Sequence, residues 1–290
     1  MSPQRRSTFA EDTDPYAHLD VRTEALDSAG RHLLTYTPAG TSRSGRSWAD
    51  GVWRPETVPV AEAAAVATEL FSGWAVSTAD ALLAAALRAR GADEVRHALV
   101  MSHDLSGSTP TGRLALSGRL QSPPVDRALD PRIRVWPLSA QQLVRHSGQL
   151  GQVQCNAYPP YHPDHRNSGA AASAAELRAI AAGEILGPLM AQSRVAVAEG
   201  ALVGAGLVVD RPGRSPEGGP WVIDIFRDPD SPLGGIGRAL LVDILAAAQA
   251  DGLPALSLAV SSSNGRARRL YADLGFEVAE ESWTLVVAEG

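Results

Sequence analysis

The sequence predicts an α/β protein, with a mixed central sheet flanked by helices in its C-terminal half and a smaller, partial α/β domain before it. Three observations carry that expectation. From residue 133 onward, stretches of period-2 alternation are interleaved with stretches of helical period, the pattern of helices packed on a sheet. Glycines punctuate the ends of those stretches, at Gly183, Gly200, Gly252 and Gly275. The 290 residues, 44% hydrophobic and 20% charged, suffice for one large or two modest domains with ordinary cores.

The same numbers exclude several classes. No apolar run approaches the ~20 residues of a membrane span, and no apolar stretch near the N-terminus suits a signal peptide. The lone Cys155 rules out an internal disulfide framework, so the cytoplasm is the expected compartment. A net charge of −6 leaves no electrostatic footprint for nucleic acid. Residues 1–16, polar and mixed in charge, read as a disordered tail. Residues 17–105 read as the partial domain. Residues 106–130, rich in Ser, Gly, Pro and Arg, read as a linker with room for a short strand at 114–116. Residues 131–290 form the main domain.

Within it, residues 133–136 read as a short strand and 140–149 as helix. A second helix spans 173–182, with Ser173 as N-cap, Glu176 in capping-box position and Gly183 at its end. Residues 194–198 and 202–209 form a strand pair turned at Glu199-Gly200, and 221–226 is a further strand. Gly234-Gly235-Ile236-Gly237 then opens a long helix. Its Ile236, Leu240, Leu241, Ile244, Leu245 and Ala248 share one face, and Gly252 closes it. Leu256, Leu258 and Val260 alternate as a strand. Ala267, Leu270, Tyr271 and Leu274 line a short helix closed by Gly275, and 283–287 is the last strand.

An internal repeat is also readable. Residues 81–91 followed by 95–101 run helix, glycine, strand, as do 239–252 followed by 256–260. In that alignment Ser77, Ala79 and Asp80 stand where Gly235, Gly237 and Arg238 stand later. The first copy has then lost its glycines and carries an acid where a phosphate requires a base, so it should not bind a nucleotide pyrophosphate.

The strongest chemical site is Gly234-Gly235-Ile236-Gly237-Arg238, between a strand and an amphipathic helix. Small residues let backbone approach an anion, and the first helical N–H groups and the helix dipole favour a phosphate there. Arg238 either adds a charge contact or points to solvent. No Gly-Lys-Ser/Thr follows, so this is not a Walker loop, and no acidic residue sits at dinucleotide spacing.

The second signal is Asn264-Gly-Arg-Ala267-Arg-Arg-Leu270-Tyr271-Ala-Asp-Leu274-Gly275-Phe276. It resembles the GNAT superfamily of acyl-CoA N-acyltransferases, whose C-terminal signature runs Asn, x, x, Ala, x, x, Leu, Tyr, x, x, x, Gly, Phe. In that family the signature follows a loop of the form Gln/Arg-x-x-Gly-x-Gly/Ala, and the order holds here. The resemblance covers residues 133–287. Two positions depart: Pro232 occupies the Gln/Arg place, with neither that side chain nor a backbone N–H, and Leu233 replaces a usually small residue.

The resemblance implies a GNAT-like mixed sheet, acetyl-CoA as co-substrate, no metal, and direct attack by an amine in a ternary complex. The strand at Ile225, Phe226 and Arg227 would pair with the pantetheine arm. Gly234, Gly235, Ile236, Gly237 and Arg238 would hold the pyrophosphate. Tyr271 matches the position that protonates the departing thiolate; its alternative is a half-buried core residue. Asn264 is a helix N-cap, alone or while also orienting the cofactor. Asp224 is the first candidate base, ahead of Glu199 and Glu184 or an ordered water.

Two other constellations need weighing. His162-Pro-Asp-His165 near Cys155 resembles a metal site, but proline breaks helical spacing and no second ligand pair follows. In the family this region builds the acceptor wall, so Tyr158, Tyr161 and His162 either line the substrate pocket or belong to a proline-stiffened surface loop. The expected activity is acetyl transfer from acetyl-CoA to a small-molecule primary amine. Its alternatives are a protein lysine or N-terminal acetyltransferase and a non-catalytic acyl-CoA-binding module. Tandem arrangements with one inactive half occur in the family the sequence resembles, so the first half is either a degenerate, partial copy or an unrelated α/β segment; a monomer or homodimer, without nucleic acid or membrane partners, is expected.

Overall fold

The computed structural model describes residues 22–41, 46–106, 130–165, 169–213, 215–216 and 218–289. The tail expected at 1–16, and residues 107–129 of the expected linker with its strand at 114–116, lie outside the described residues. The chain forms two compact units, Met1–Leu99 with Glu280–Gly290, and Val100–Ala279.

In the first unit, β1 (Thr23–Leu26), β2 (His32–Thr41) and β3 (Ser47–Trp53) make an antiparallel meander. Helix α1 (Val60–Leu70) then crosses to β4 (Ala75–Thr78), which runs parallel to β3. Helix α2 (Ala81–Ala89) leads to β5 (Asp93–Asp104), a strand that passes the boundary between the units at Leu99. The chain's last strand, Glu277–Val286, pairs antiparallel with β4, Trp283 opposite Thr78. Leu34, Phe71, Leu83, Leu87 and Leu285 are fully buried between the helices and these strands. Each such side chain stabilises the fold by about 1.5–3 kcal/mol.

The second unit runs β6 (Ile133–Pro137), α3 (Ala140–Ala157), α4 (Ala170–Ala181), β7 (Arg194–Ala198), β8 (Ala201–Arg211), β9 (Gly219–Arg227), α5 (Ile236–Ala250), β10 (Ala255–Ser261) and α6 (Gly265–Asp273), after which the chain enters the last strand, β11, most of which belongs to the first unit. Strands β6 to β9 are antiparallel neighbours in chain order, and β10 adds parallel to β9. Period-2 alternation assigns the faces. Val195, Ala205, Leu207 and Phe226 meet Leu143, Leu150, Leu177 and Ile180 of α3 and α4. Ala196, Ala198, Val203 and Ile225 meet Ile236, Ala239 and Leu240 of α5. Glu199 and Gly200 both take positive φ, as a type I′ hairpin turn requires.

Three local expectations are corrected. Ser173 is not an N-cap: α4 starts a turn earlier, after Gly169, and Ser173 lies buried with its N–H on the Gly169 carbonyl at 3.0 Å. The run Ala170-Ala171-Ala172 extends the helix upstream of the polar residue, because alanine has the highest helix propensity. The capping box is at α3 instead, where Ser139 and Gln142 satisfy each other's backbone N–H groups. That helix also continues through Ala157, eight residues beyond the expected 149.

The repeat exists in a different register. Meander, parallel crossover, helix and strand recur as β1-β2-β3-α1-β4-α2-β5 and β7-β8-β9-α5-β10-α6-β11. Helix α2 therefore corresponds to α6, not to α5. The two align without a gap: N-cap Asp80 with Asn264, Leu87 with Tyr271, and Gly91 with Gly275, both at φ 89°. Helix–glycine–strand occurs twice in the second unit, and only strand order tells which copy is equivalent.

Candidate active site

The site begins where two parallel strands part. β9 pairs with β10 only at Ser257–Trp221 and Leu258–Val222, whereas its pairing with β8 continues to Gly204–Arg227. A register shift in the β8 ladder inserts Ile223 as a bulge, which bends β9 where it leaves β10. Beyond it, the Asp228 N–H donates to the Val203 carbonyl at 2.8 Å, toward β8. By alternation, the N–H groups of Ile225 and Arg227 point to the edge that β10 has left.

Beside that edge lies the glycine loop. Gly235 is the N-cap of α5 at φ 86°, a left-handed conformation that glycine adopts without a steric penalty. No side chain caps the helix, so the first N–H groups of α5 have neither an intrahelical nor a side-chain acceptor. A Cβ added at Gly234 or Gly235 would meet nothing within 4 Å. The loop is thus an open cradle of donors at the positive end of a helix dipole, which fits a pyrophosphate. Leu233, buried against the α5 core, anchors the loop.

On the α3 side of the sheet, Asp224 is 5% exposed. Its Oδ1 accepts from the Tyr158 hydroxyl at 2.5 Å and its Oδ2 from Gln154 Nε2 at 2.5 Å. Tyr271 is 6% exposed, with its ring 5.9 Å from that of Phe276. Its hydroxyl makes no hydrogen bond among the described residues, yet it is not one of the sealed, unpaired polar atoms of the interior. Burial, reinforced by the charges of Asp164 and Asp224, holds its phenol pKa well above the usual value.

The model of the Acetyltransferase (GNAT) family matches residues 187–276, from before β8 through the glycine loop to Phe276. Solved structures share the fold over most of the chain. A GCN5-related N-acetyltransferase from Sphaerobacter thermophilus is similar over 91% of this chain and 79% of its own, at 14% identity and a TM-score of 0.60. A tandem GNAT protein from the clavulanic acid biosynthesis pathway is similar over 93% of this chain and 83% of its own, at 13% identity and a TM-score of 0.55. A GCN5-related N-acetyltransferase from Kribbella flavida is similar over 89% and 87%, at 13% identity and a TM-score of 0.50. No curated protein matches the chain in sequence. The chain thus shares the fold of these structures, one of which is a tandem GNAT protein.

Within the second unit the sequence-predicted residues fall into distinct places. Ile225 packs toward α5, and Phe226 is buried against α3 and α4, so only their backbones reach the open edge. Arg238 is held by Asp273 at 3.3 Å. The Asn264 side chain is engaged at both ends: Oδ1 accepts from Ala267 N at 3.1 Å, capping α6, and Nδ2 donates to Asp164 at 3.1 Å. Tyr158 caps the end of α3 and stacks edge-on with His162, their rings 5.0 Å apart. His162 Nδ1 accepts from the Asp164 N–H at 3.0 Å, and burial pushes its pKa down, so the ring is neutral at pH 7. Tyr161 is 88% exposed and stands apart from these groups. Among the described residues no group of three or more His, Cys, Asp or Glu is arranged to hold a metal ion, and no helix is long and apolar enough to cross a membrane.

Asp164 and Gln154 hold side chains of the candidate site in place and were not singled out in the sequence. The Asp164 carboxylate accepts from Ser261 Oγ at 2.6 Å as well as from Asn264, fastening the segment after α3 to the β10–α6 junction. Its place in His162-Pro-Asp-His165 carries no signal for this role, since its partners lie far along the chain. Gln154 lies on the α3 face opposite β9, a position that helical period alone marks only as inward.

The first copy is blank at the equivalent places. Pro59 caps α1 where Gly235 caps α5, and Leu87 fills the place of Tyr271. Where β3 and β4 part beyond Ala49–Val76, the Asp50 carboxylate bridges the Ser77 hydroxyl and the Gly51 N–H. Asp80 accepts from Leu82 N and Leu83 N and pairs with Arg54 at 2.7 Å, occupying the start of α2.

Proposed function

We propose that the second unit transfers the acetyl group of acetyl-CoA to a primary amine of a small molecule, by direct attack within a ternary complex. The observation that carries this reading is the parting of β9 from β10 beyond Val222, beside the open cradle at Gly234 and Gly235. The unpaired edge at Ile225 and Arg227 would hydrogen-bond the amides of the pantetheine arm, and the cradle would hold the pyrophosphate. The same edge N–H groups would stabilise negative charge developing on the thioester oxygen, usually a large term in acyl transfer.

The attacking amine loses a proton and the departing sulfur gains one. Asp224 is buried on the acceptor side and takes the first. The Tyr271 hydroxyl, kept protonated by its surroundings, gives the second. The phenolate then recovers its proton through solvent. Tyr158 and Gln154 hold the Asp224 carboxylate in one orientation. A small acceptor is favoured over a peptide because Asp164 fastens the segment after α3 across the site rather than leaving an open groove.

The test is calorimetric titration of the full chain with acetyl-CoA, with Gly235→Glu as control. Saturable binding abolished by the substitution, followed by thiol release with one of a panel of small amines, is expected. No binding at millimolar acetyl-CoA would sink the reading.

A further inference from the structure

Gln154 and Tyr158 stand one helical turn apart at the end of α3, so their side chains leave the same face and reach one carboxylate, that of Asp224. The two donors differ in what they can pass on. Gln154 is 1% exposed, and its amide donates to Oδ2 from within the interior. Tyr158 is half-buried, where α3 ends before Pro159-Pro160. Its hydroxyl donates to Asp224 Oδ1 at 2.5 Å and also stands 3.1 Å from the Ile225 carbonyl oxygen.

The carbonyl of a strand residue points to the same side as its N–H, so the Ile225 oxygen lies on the edge that β10 has left. The Tyr158 hydroxyl is therefore placed between Asp224 and the edge that would carry the acyl group. Asp224 is buried, and both its oxygens accept from protein donors. An amine arriving at the edge meets the hydroxyl before the carboxylate. A hydroxyl has one proton to give and two lone pairs to receive one, whereas an amide at neutral pH exchanges none. In the short, charge-assisted contact the Tyr158 proton already points along the path to Asp224.

We propose that Tyr158 is a further catalytic residue, a proton relay between the attacking amine and Asp224; the inference rests on the acetyl-transfer reading above. The bound ammonium passes a proton to the Tyr158 oxygen as the Tyr158 proton passes to Asp224 Oδ1, and the neutral amine attacks. Tyr158 begins and ends this step as a neutral phenol. The C–N bond then forms and the C–S bond breaks; the nitrogen sheds its second proton to solvent, and the sulfur takes the proton of Tyr271. Solvent resets Asp224 and Tyr271, with a net release of one proton per turnover. Gln154 is a positioning residue, which holds the carboxylate without entering the path.

The experiment follows thiol release by the full chain from acetyl-CoA and a panel of primary amines, n-butylamine and benzylamine among them, between about pH 7 and 9. Wild-type kcat should be level over that range. Tyr158→Phe keeps the ring beside His162 and removes the path. Its kcat should fall about a hundredfold at the lower end and climb about tenfold per pH unit, because only amine that is already neutral can attack. Gln154→Leu removes the other donor to Asp224, and should lower kcat while leaving it level. A Tyr158→Phe kcat within about threefold of wild type, or lowered but level, overturns the relay and leaves Asp224 as the direct base. A climbing profile in Gln154→Leu traces the slope to the orientation of Asp224 and overturns the relay even if Tyr158→Phe does not fold. Absence of thiol release by wild type with every amine removes the acetyl-transfer reading and the relay with it.

Discussion

Tyr271→Phe removes one hydroxyl and keeps the ring. Because that hydroxyl has no hydrogen-bond partner among the described residues, the substitution breaks no structural bond, and stability at pH 7 should change by no more than about 0.5 kcal/mol. If the hydroxyl protonates the departing thiolate, its loss costs a general acid, so kcat should fall about 10²- to 10⁴-fold, some 3–5 kcal/mol of barrier. The pH dependence gives a second, independent readout. The phenol pKa is raised on folding, so the native state holds a proton that the unfolded state releases above pH ~10. Its contribution to stability is complete below that pH and is lost as pH rises toward the folded value, at a slope of about 1.4 kcal/mol per pH unit. Wild type should therefore weaken more steeply than Tyr271→Phe between about pH 10 and 11. Thiol release measures kcat, and urea unfolding across that range measures the slope. A kcat within threefold of wild type in the folded variant would refute the acid role. Parallel unfolding slopes would refute the account of the buried phenol.

Three further outcomes follow from the geometry. Asp224→Asn turns an amide N–H₂ toward one of the two donors, Tyr158 or Gln154, and should cost about 1–3 kcal/mol in urea unfolding while lowering kcat at least about a hundredfold; unchanged turnover would remove it as the base. Asp164→Ala breaks the bonds to Ser261 and Asn264, so amide exchange over residues 158–165 should accelerate, with a stability loss of about 1–3 kcal/mol; unaltered exchange would show that other contacts hold the segment. Gly151→Ala places a Cβ 2.7 Å from Ala174 N and 2.9 Å from its Cα, where α3 and α4 cross. It should destabilise by about 1–3 kcal/mol in urea unfolding, and a neutral result would mean the helices separate freely.

The parts of this site that are legible in the sequence are those built from consecutive residues. The loop at 234–238 and the signature from Asn264 to Phe276 each lie within one helix start or one helix, so local spacing carries their geometry. Asn264 as a cap, Gly235 at positive φ and Gly252 closing α5 follow from the same short range. The failures share a different cause. Ser173 reads as a cap because a polar residue before an apolar run is one signal among several, and three alanines upstream outweigh it. Asp164 goes unmarked because its neighbours in sequence belong to a proline-bearing loop, whereas its partners Ser261 and Asn264 lie about a hundred residues away.

What the sequence by itself determines is the chemistry on offer: a phosphate-sized cradle, a tyrosine on a short helix, a carboxylate in the strand before the loop. Hydrophobic period and turn residues act over a few positions, and they decide those elements before any tertiary contact forms. Only the tertiary structure decides which of these groups meet. The bulge at Ile223 parts β9 from β10, and the Arg238–Asp273 pair ties α5 to α6. Strand order likewise pairs the last strand with β4 and matches α2 to α6 rather than α5. Those choices depend on the closure of long loops and on complementary packed faces, neither of which is written in a local run of residues.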